Sequence, residues 1–379
     1  MAERKLTAAD KKLLAEEKER QAAEEKQKED RALFYSLFRK MPQFALLDET
    51  LKSGNLFHAY FFYGPEGSLK KEAALLFAAS ILTGSAGVLN EETADEETAR
   101  LAASIFHGDC SDFIFLDGSR KEAIKKEEVD RIQMRFSHTA STAAGRKVYV
   151  IHHFENSSLG AQNSLLKFLE EPAGDVCAIV TADNAWRVLE TIRSRCICAA
   201  FQPLSRELLE ESARKAGLDE EDIPLAAGIA KDPGSLGELA ASAAFQGAKR
   251  MFRQYLDEEE GPLLYVDYEN RYRAKAGSDT GEGVKNREAK DQNVDMLDWF
   301  FGFLMMFYHD ALKNDGGGSS WYHKSVIRAA KAENTRILTE KLKIASESRD
   351  RVNRNNDLSL LLAQALFRLE ECTNEQRRN

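Results

Sequence analysis

The segment Tyr63-Gly64-Pro65-Glu66-Gly67-Ser68-Leu69-Lys70-Lys71-Glu72 follows a short apolar run and opens an amphipathic one, the setting in which a phosphate-binding loop joins a strand to a helix. A working loop reads G-x-x-x-x-G-K-S/T. Its glycines let backbone N–H groups wrap the phosphates, its lysine neutralises them and its hydroxyl ligates Mg²⁺. Here Gly64 and Lys70 stand at the required separation, but Leu69 replaces the second glycine and Lys71 replaces the hydroxyl residue. Gly64 and Gly67 retain the shape of the turn while the chemistry is lost. A leucine side chain stands where phosphates would approach the backbone, and an ammonium cannot ligate a cation.

Nucleotide hydrolysis also needs a carboxylate at the end of a strand, to organise Mg²⁺ and water. After the run Val148-Tyr149-Val150-Ile151 the chain has His152 and His153 instead. Adjacent strand residues point to opposite faces, so the two imidazoles are not expected to chelate together, and no metal is expected. Arg195 lies between a short helical turn and a strand, flanked by Ser194 and Cys196, with its guanidinium expected to project. On composition alone it reads as a surface arginine held by a carboxylate. Lys167, Glu170 and Glu171 read as a solvated helix terminus, stopped by Pro172. The five cysteines, at 110, 177, 196, 198 and 372, form no C-x-x-C pair and are expected to be free thiols.

Stretches 57–63, 113–116, 148–151, 176–181 and 197–201 read as strands, and 69–82, 127–137 and 161–169 between them read as helices. Strands separated by helices imply a parallel sheet covered on both faces. Strand signals stop after Pro203. The expected order is a charged arm over 1–31, an α/β domain over 32–203 and a small helical domain over 204–250. A linker or exposed insertion over 251–293 and an all-helical domain over 294–379 follow. The arm carries nine basic and nine acidic residues, so it cannot form a core. Trp299, Phe300, Phe303, Leu304, Phe307 and Tyr308 form an apolar stripe at helical spacing, read as core or subunit contact rather than a cofactor site.

The 379 residues carry 53 basic and 62 acidic side chains, a net charge of −9, which excludes a uniformly basic nucleic-acid coat. No apolar run is long enough to span a bilayer and no secretion signal is evident, so a cytoplasmic chain is expected.

Residues Asn163-Ser164-Leu165-Leu166-Lys167-Phe168-Leu169-Glu170-Glu171-Pro172 and Thr191-Ile192-Arg193-Ser194-Arg195-Cys196 resemble the N-x-L-L-K-x-L-E-E-P and T-I-x-S-R-C motifs of the bacterial clamp-loader AAA+ family. His58-Ala59-Tyr60, His107-Gly108-Asp109 at the family's H-P-D position, and Asn353-Arg354-Asn355-Asn356-Asp357-Leu358 at the start of its last collar helix agree. The likeness is strong over 45–203 and weaker over 204–379. It implies an AAA+ α/β domain, a helical lid and a helical collar. Where ATP-binding relatives have a sensing arginine in G-S-L-R, this chain has Gly234-Ser235-Leu236-Gly237. With the loop and the strand-end carboxylate, that makes three altered ATP-handling elements, so no nucleotide of its own is expected.

The resemblance further implies that Arg195 reaches ATP-Mg bound by a neighbouring subunit, with Ser194 and Cys196 positioning it. The implied partners are gamma/tau-type ATPase subunits and a delta subunit, with the sliding clamp engaged indirectly, primed DNA contacted weakly, and a role in DNA replication. The competing expectations are an active gamma/tau-like ATPase and an AAA+ adaptor in DNA repair. The family's four-cysteine zinc module is missing, because no cysteine lies between Lys70 and Asp109.

Overall fold

The computed structural model describes residues 34–35, 37–89, 96–107, 110–119, 122–136, 145–171, 175–257, 263–273, 283–314, 320–353 and 355–378. The charged arm over 1–31, with Pro172, Gly108, Asp109 and Arg354, lies outside them. The chain divides into two compact units, Met1–Leu204 and Ser205–Asn379.

In the first unit the apolar runs become β1 (Ala59–Tyr63), β2 (Phe113–Asp117), β3 (Lys147–His152), β4 (Val176–Ala182) and β5 (Ile197–Ala200). They form one sheet, ordered β2-β3-β4-β1-β5, with every pair parallel. Tyr60 lies beside Ile179 of β4 and Ile197 of β5, and Val150 of β3 lies beside the same Ile179. All of β3 and β4 is buried, which explains why these strands read as continuous apolar runs rather than alternating ones. Helices Lys70–Thr83, Lys126–Arg135 and Leu159–Glu170 fill the crossovers and match the predicted segments within two residues at each end. The chain leaves β1 for β2 at one edge, returns through β3 and β4, and crosses to β5. The loop after β1 therefore opens at the topological switch point, beside the end of β4 and one strand away from the end of β3.

The second unit is helical throughout its described residues, with Ala243–Leu256, Gly283–Lys313, Trp321–Ala332, Thr335–Asp350 and Leu358–Arg378 as its longer helices. Two boundaries differ from the sequence reading. The expected lid and collar share one core, which contains Ala213, Ile223 and Phe245 from the former and Phe303, Leu338 and Leu362 from the latter. Phe245 meets Phe303 edge-on at 5.7 Å between ring centres, and Phe252 meets Phe307 at 5.7 Å. The stripe 299–308 is thus internal packing. The expected linker is also partly structured: Leu264 and Tyr268 are buried in the same core, and the long helix begins at Gly283, ahead of the expected start at 294. The helix that carries both, Leu264–Tyr268, is barely more than one turn, too short for a periodicity argument to find. The run of glycines at 316–318 falls where one helix ends at Lys313 and the next begins at Trp321.

At the start of the last helix, Asn353 Oδ1 accepts from the N–H groups of Asn355 and Asn356 at 2.9 and 3.1 Å. Asp357 Oδ1 then accepts from Ser359 and Leu360 at 3.0 and 3.2 Å, so the asparagine-rich motif acts as a cap.

Candidate functional site

The loop after β1 keeps the curvature of a phosphate loop. Gly64 is required there because a Cβ would stand 2.0 Å from the carbonyl oxygen of Phe201, whose N–H donates to Tyr63 at 2.6 Å. At the second glycine position Leu69 adopts φ 61°, a left-handed conformation that costs a non-glycine residue about 1–2 kcal/mol, and its side chain is buried. The left-handed backbone that a glycine would favour persists with leucine in its place.

Lys70 opens the following helix and is buried. Its ammonium donates to the carbonyl of Pro65 at 3.0 Å and lies 2.5 Å from Asp183 Oδ1, just past β4. The cation that would meet phosphate in a working loop is held by its own chain. Lys71 points instead to Phe115, 5.5 Å from the ring centre.

His152 ends β3, where a hydrolytic site needs a carboxylate. Its Nδ1 lies 2.6 Å from Thr181 Oγ1, and burial, with the neighbouring His153 and Lys71, pushes its pKa down to about 3. The imidazole is therefore neutral and supplies no negative charge to a metal or water.

The expectation that His152 and His153 diverge is corrected. His153 leaves the strand with φ 53°, and the two rings stand 4.0 Å apart. Strand alternation fails at the first residue beyond the strand. His153 joins Glu155 and Asp183, whose ligand atoms all lie within 4.8 Å of one another. Glu155 Oε1 lies 3.2 Å from His153 Nδ1 and accepts from the Asp183 N–H at 3.0 Å. These groups have the donor types for a divalent cation. The Lys70 ammonium already sits against Asp183.

Gly237 lies in the Leu236–Ala241 helix of the second unit, and an added Cβ would meet nothing within 4 Å. Packing does not exclude a longer side chain there.

Arg195 follows the short helix Glu190–Arg193 and precedes β5. Its Nη2 lies 2.8 Å from Glu170 Oε1, and its Nη1 donates to the Thr191 carbonyl at 2.9 Å. The guanidinium folds back onto its own subunit instead of projecting freely, and the pairing is the surface ion pair that composition suggests. It remains 38% exposed, so it can be exchanged for another acceptor. Ser194 Oγ donates to the same Thr191 carbonyl at 3.1 Å. Cys196 is half-buried, and burial with nearby Cys198 raises its thiol to about 12, so it is a packing residue rather than a nucleophile. All five cysteines are free. Lys167 and Glu171 are exposed at the helix end, as read from sequence.

Asp183, Glu155, Thr181 and the role of Glu170 were missed in the sequence. Asp183 carries a signal in retrospect, as the first residue beyond a buried strand adjacent to β1.

A family model described as "DNA polymerase III, delta subunit" matches residues 40–205. The chain is 25% identical over 336 residues to DNA polymerase III subunit delta' of Bacillus subtilis, covering 86% of this chain and 94% of that one. It is 34% identical over 170 residues to the delta' subunit of Pseudomonas aeruginosa, covering 41% of this chain and 49% of that one. It is 31% identical over 226 residues to the tau subunit of Bacillus subtilis, covering 58% of this chain and 37% of that one. With its parallel α/β unit and following helical region, the chain resembles the delta-prime subunit of the bacterial DNA polymerase III clamp loader, of the AAA+ clamp-loader family.

Proposed function

We propose that this protein is a non-hydrolysing, delta-prime-like clamp-loader subunit that serves ATP bound elsewhere in its complex. The observation that carries this reading is the internal capture of Lys70 by Asp183, beneath a loop with Leu69 in its turn. Phosphate binding would require breaking a buried ion pair and clearing a buried leucine. Neutral His152 offers no compensating carboxylate to organise Mg²⁺ and water. The 31% identity to a tau subunit fits shared ancestry of the α/β unit and does not restore these groups.

Arg195 is the group free to act. Its present partners are a half-exposed carboxylate and a backbone carbonyl, and such surface pairs contribute about 0–1 kcal/mol. A triphosphate offers more negative charge and charge-assisted hydrogen bonds to a planar guanidinium that stays protonated. Supplied to the ATP-Mg of a neighbouring gamma/tau-type subunit, such an arginine is worth about 10³–10⁵ in rate at that site. The remaining partners are a delta subunit, the sliding clamp through the ring, and primed DNA held weakly by the complex. The setting is DNA replication in the cytoplasm. A net charge of −9 suits a subunit that works through protein contacts.

Equilibrium binding of ATP to the purified chain tests the first half, with no binding expected up to millimolar nucleotide. Micromolar binding that disappears in Lys70→Ala would instead establish the gamma/tau-like ATPase reading. Reconstitution tests the second half: Arg195→Ala should lower clamp-stimulated ATP turnover while assembly is unchanged. A chain that fails to assemble with the ATPase subunits would point to an adaptor role in DNA repair.

A further inference from the structure

Trp186 is the most exposed large apolar side chain among the described residues, at 84%. It does not sit on a loose loop. The Asn184 side chain accepts from the Trp186 N–H at 3.0 Å. Buried Gln162 donates to the Arg187 carbonyl at 3.2 Å and accepts from the Leu189 N–H at 2.9 Å. Val188 between them is buried. A rigid turn therefore holds an indole in water, pre-ordered in the way that suits a contact, and tryptophan and arginine are the side chains most enriched where protein contacts draw their energy.

The guanidinium of Arg193 lies 5.1 Å from the indole centre. The same segment runs on to Arg195, which rests on Glu170. Gln162 and Glu170 belong to one helix, Leu159–Glu170, and their eight-residue separation spans about 12 Å of its axis. The segment 184–195 thus lies along that helix, with Trp186 near one end and Arg195 near the other.

We propose that Trp186, braced by Arg193, is the anchor through which this chain grips the neighbouring ATPase subunit, the partner whose nucleotide Arg195 reaches. This inference rests on the proposed role of Arg195. The partner should offer an apolar pocket with carboxylates at its rim, because Arg187 and Arg193 flank the indole. A nucleic acid fits less well. Arg193 already covers one face of the ring that a base would need, and exposed Glu190 on the same stretch repels a phosphate backbone.

The test uses the full chain in the reconstituted complex, comparing wild type with Trp186→Ala, Trp186→Phe and Arg195→Ala. Because Trp186 is exposed, its replacement should leave the fold intact by circular dichroism. Trp186→Ala should weaken assembly at least about tenfold while leaving turnover of the saturated complex within about twofold. Arg195→Ala should do the reverse. Assembly should shift tryptophan emission to the blue in wild type, and Trp186→Phe, which retains Trp299 and Trp321, should lose that shift. Unchanged assembly of Trp186→Ala and no emission shift would overturn the anchor while leaving the Arg195 reading intact. Weakened binding of a single-stranded oligonucleotide by Trp186→Ala, with assembly unchanged, would also overturn it and assign the indole to nucleic acid. Loss of the Arg195→Ala effect, with the tryptophan results as expected, would sink the finger role and leave the anchor as an assembly contact.

Discussion

Lys70 is buried against a carboxylate from its own chain, so removing that carboxylate leaves a buried cation with only the Pro65 carbonyl. Asp183→Ala should destabilise the first unit by about 1–3 kcal/mol, below the loss for a fully dry pair because Asp183 is 29% exposed. Urea unfolding checks this, and an unchanged midpoint would show that the pair does not hold the loop. His152 supplies a pH-dependent test. Its pKa is depressed to about 3 by burial, whereas the unfolded chain has the ordinary histidine value near 6.5. Between these values the unfolded state binds the extra proton. The contribution of His152 is complete above about pH 6.5 and is lost as pH falls toward 3, a slope worth a few kcal/mol in all. His152→Asn should flatten stability against pH in that window, and an unaltered slope would exclude His152 as its source. The substitutions at 69, 71 and 152 were legible from sequence because each changes the chemistry of its position. Asp183 was not, because only folding brings it to Lys70.

Two elements depend on single positions at their ends. Gly64 lets the chain leave β1 against the backbone of Phe201. Gly64→Ala should cost about 2–4 kcal/mol, because the clash is with backbone that cannot rotate away. Ser158 caps the helix that carries both Gln162 and Glu170, its Oγ accepting from the Ala161 N–H at 3.2 Å. Ser158→Ala should cost about 1 kcal/mol. Thermal unfolding measures both, and a ranking with Ser158→Ala the more damaging would contradict the packing described for Gly64. The five strands and the crossover helices could be read from apolar runs and 3.6-residue periodicity, since both faces of this sheet are covered. Strand alternation was the wrong guide only at His153, where one left-handed residue turns the chain.

At the scale of the whole molecule, the described residues of the expected lid and collar share one core. Phe303 is fully buried at the junction of the Ala243–Leu256 helix and the long Gly283–Lys313 helix. Phe303→Ala should cost about 3–5 kcal/mol. Its effect should reach helices on both sides of the expected lid–collar boundary in one transition. Hydrogen exchange checks this, and protection lost from only one of the two groups of helices would support separate domains after all. No helix among the described residues is long and apolar enough to cross a membrane. The boundary at 204 was legible because strand signals end there. The division at 251–293 was not, because Leu264 and Tyr268 stand in a short apolar run, only one helical turn long, whose period is too brief to separate from a loop.

The order of residues alone determined the parallel sheet, the degenerate phosphate loop and the conspicuous arginine, since these depend on local pattern and on the chemistry of single positions. Only the tertiary structure decided where the charges go. It placed Lys70 on Asp183, Arg195 on Glu170, and His153 beside Asp183, pairs joined across the ends of separate elements. It also decided that Trp186 stays in water, because burial is set by what packs above a side chain and leaves no trace in its immediate neighbours.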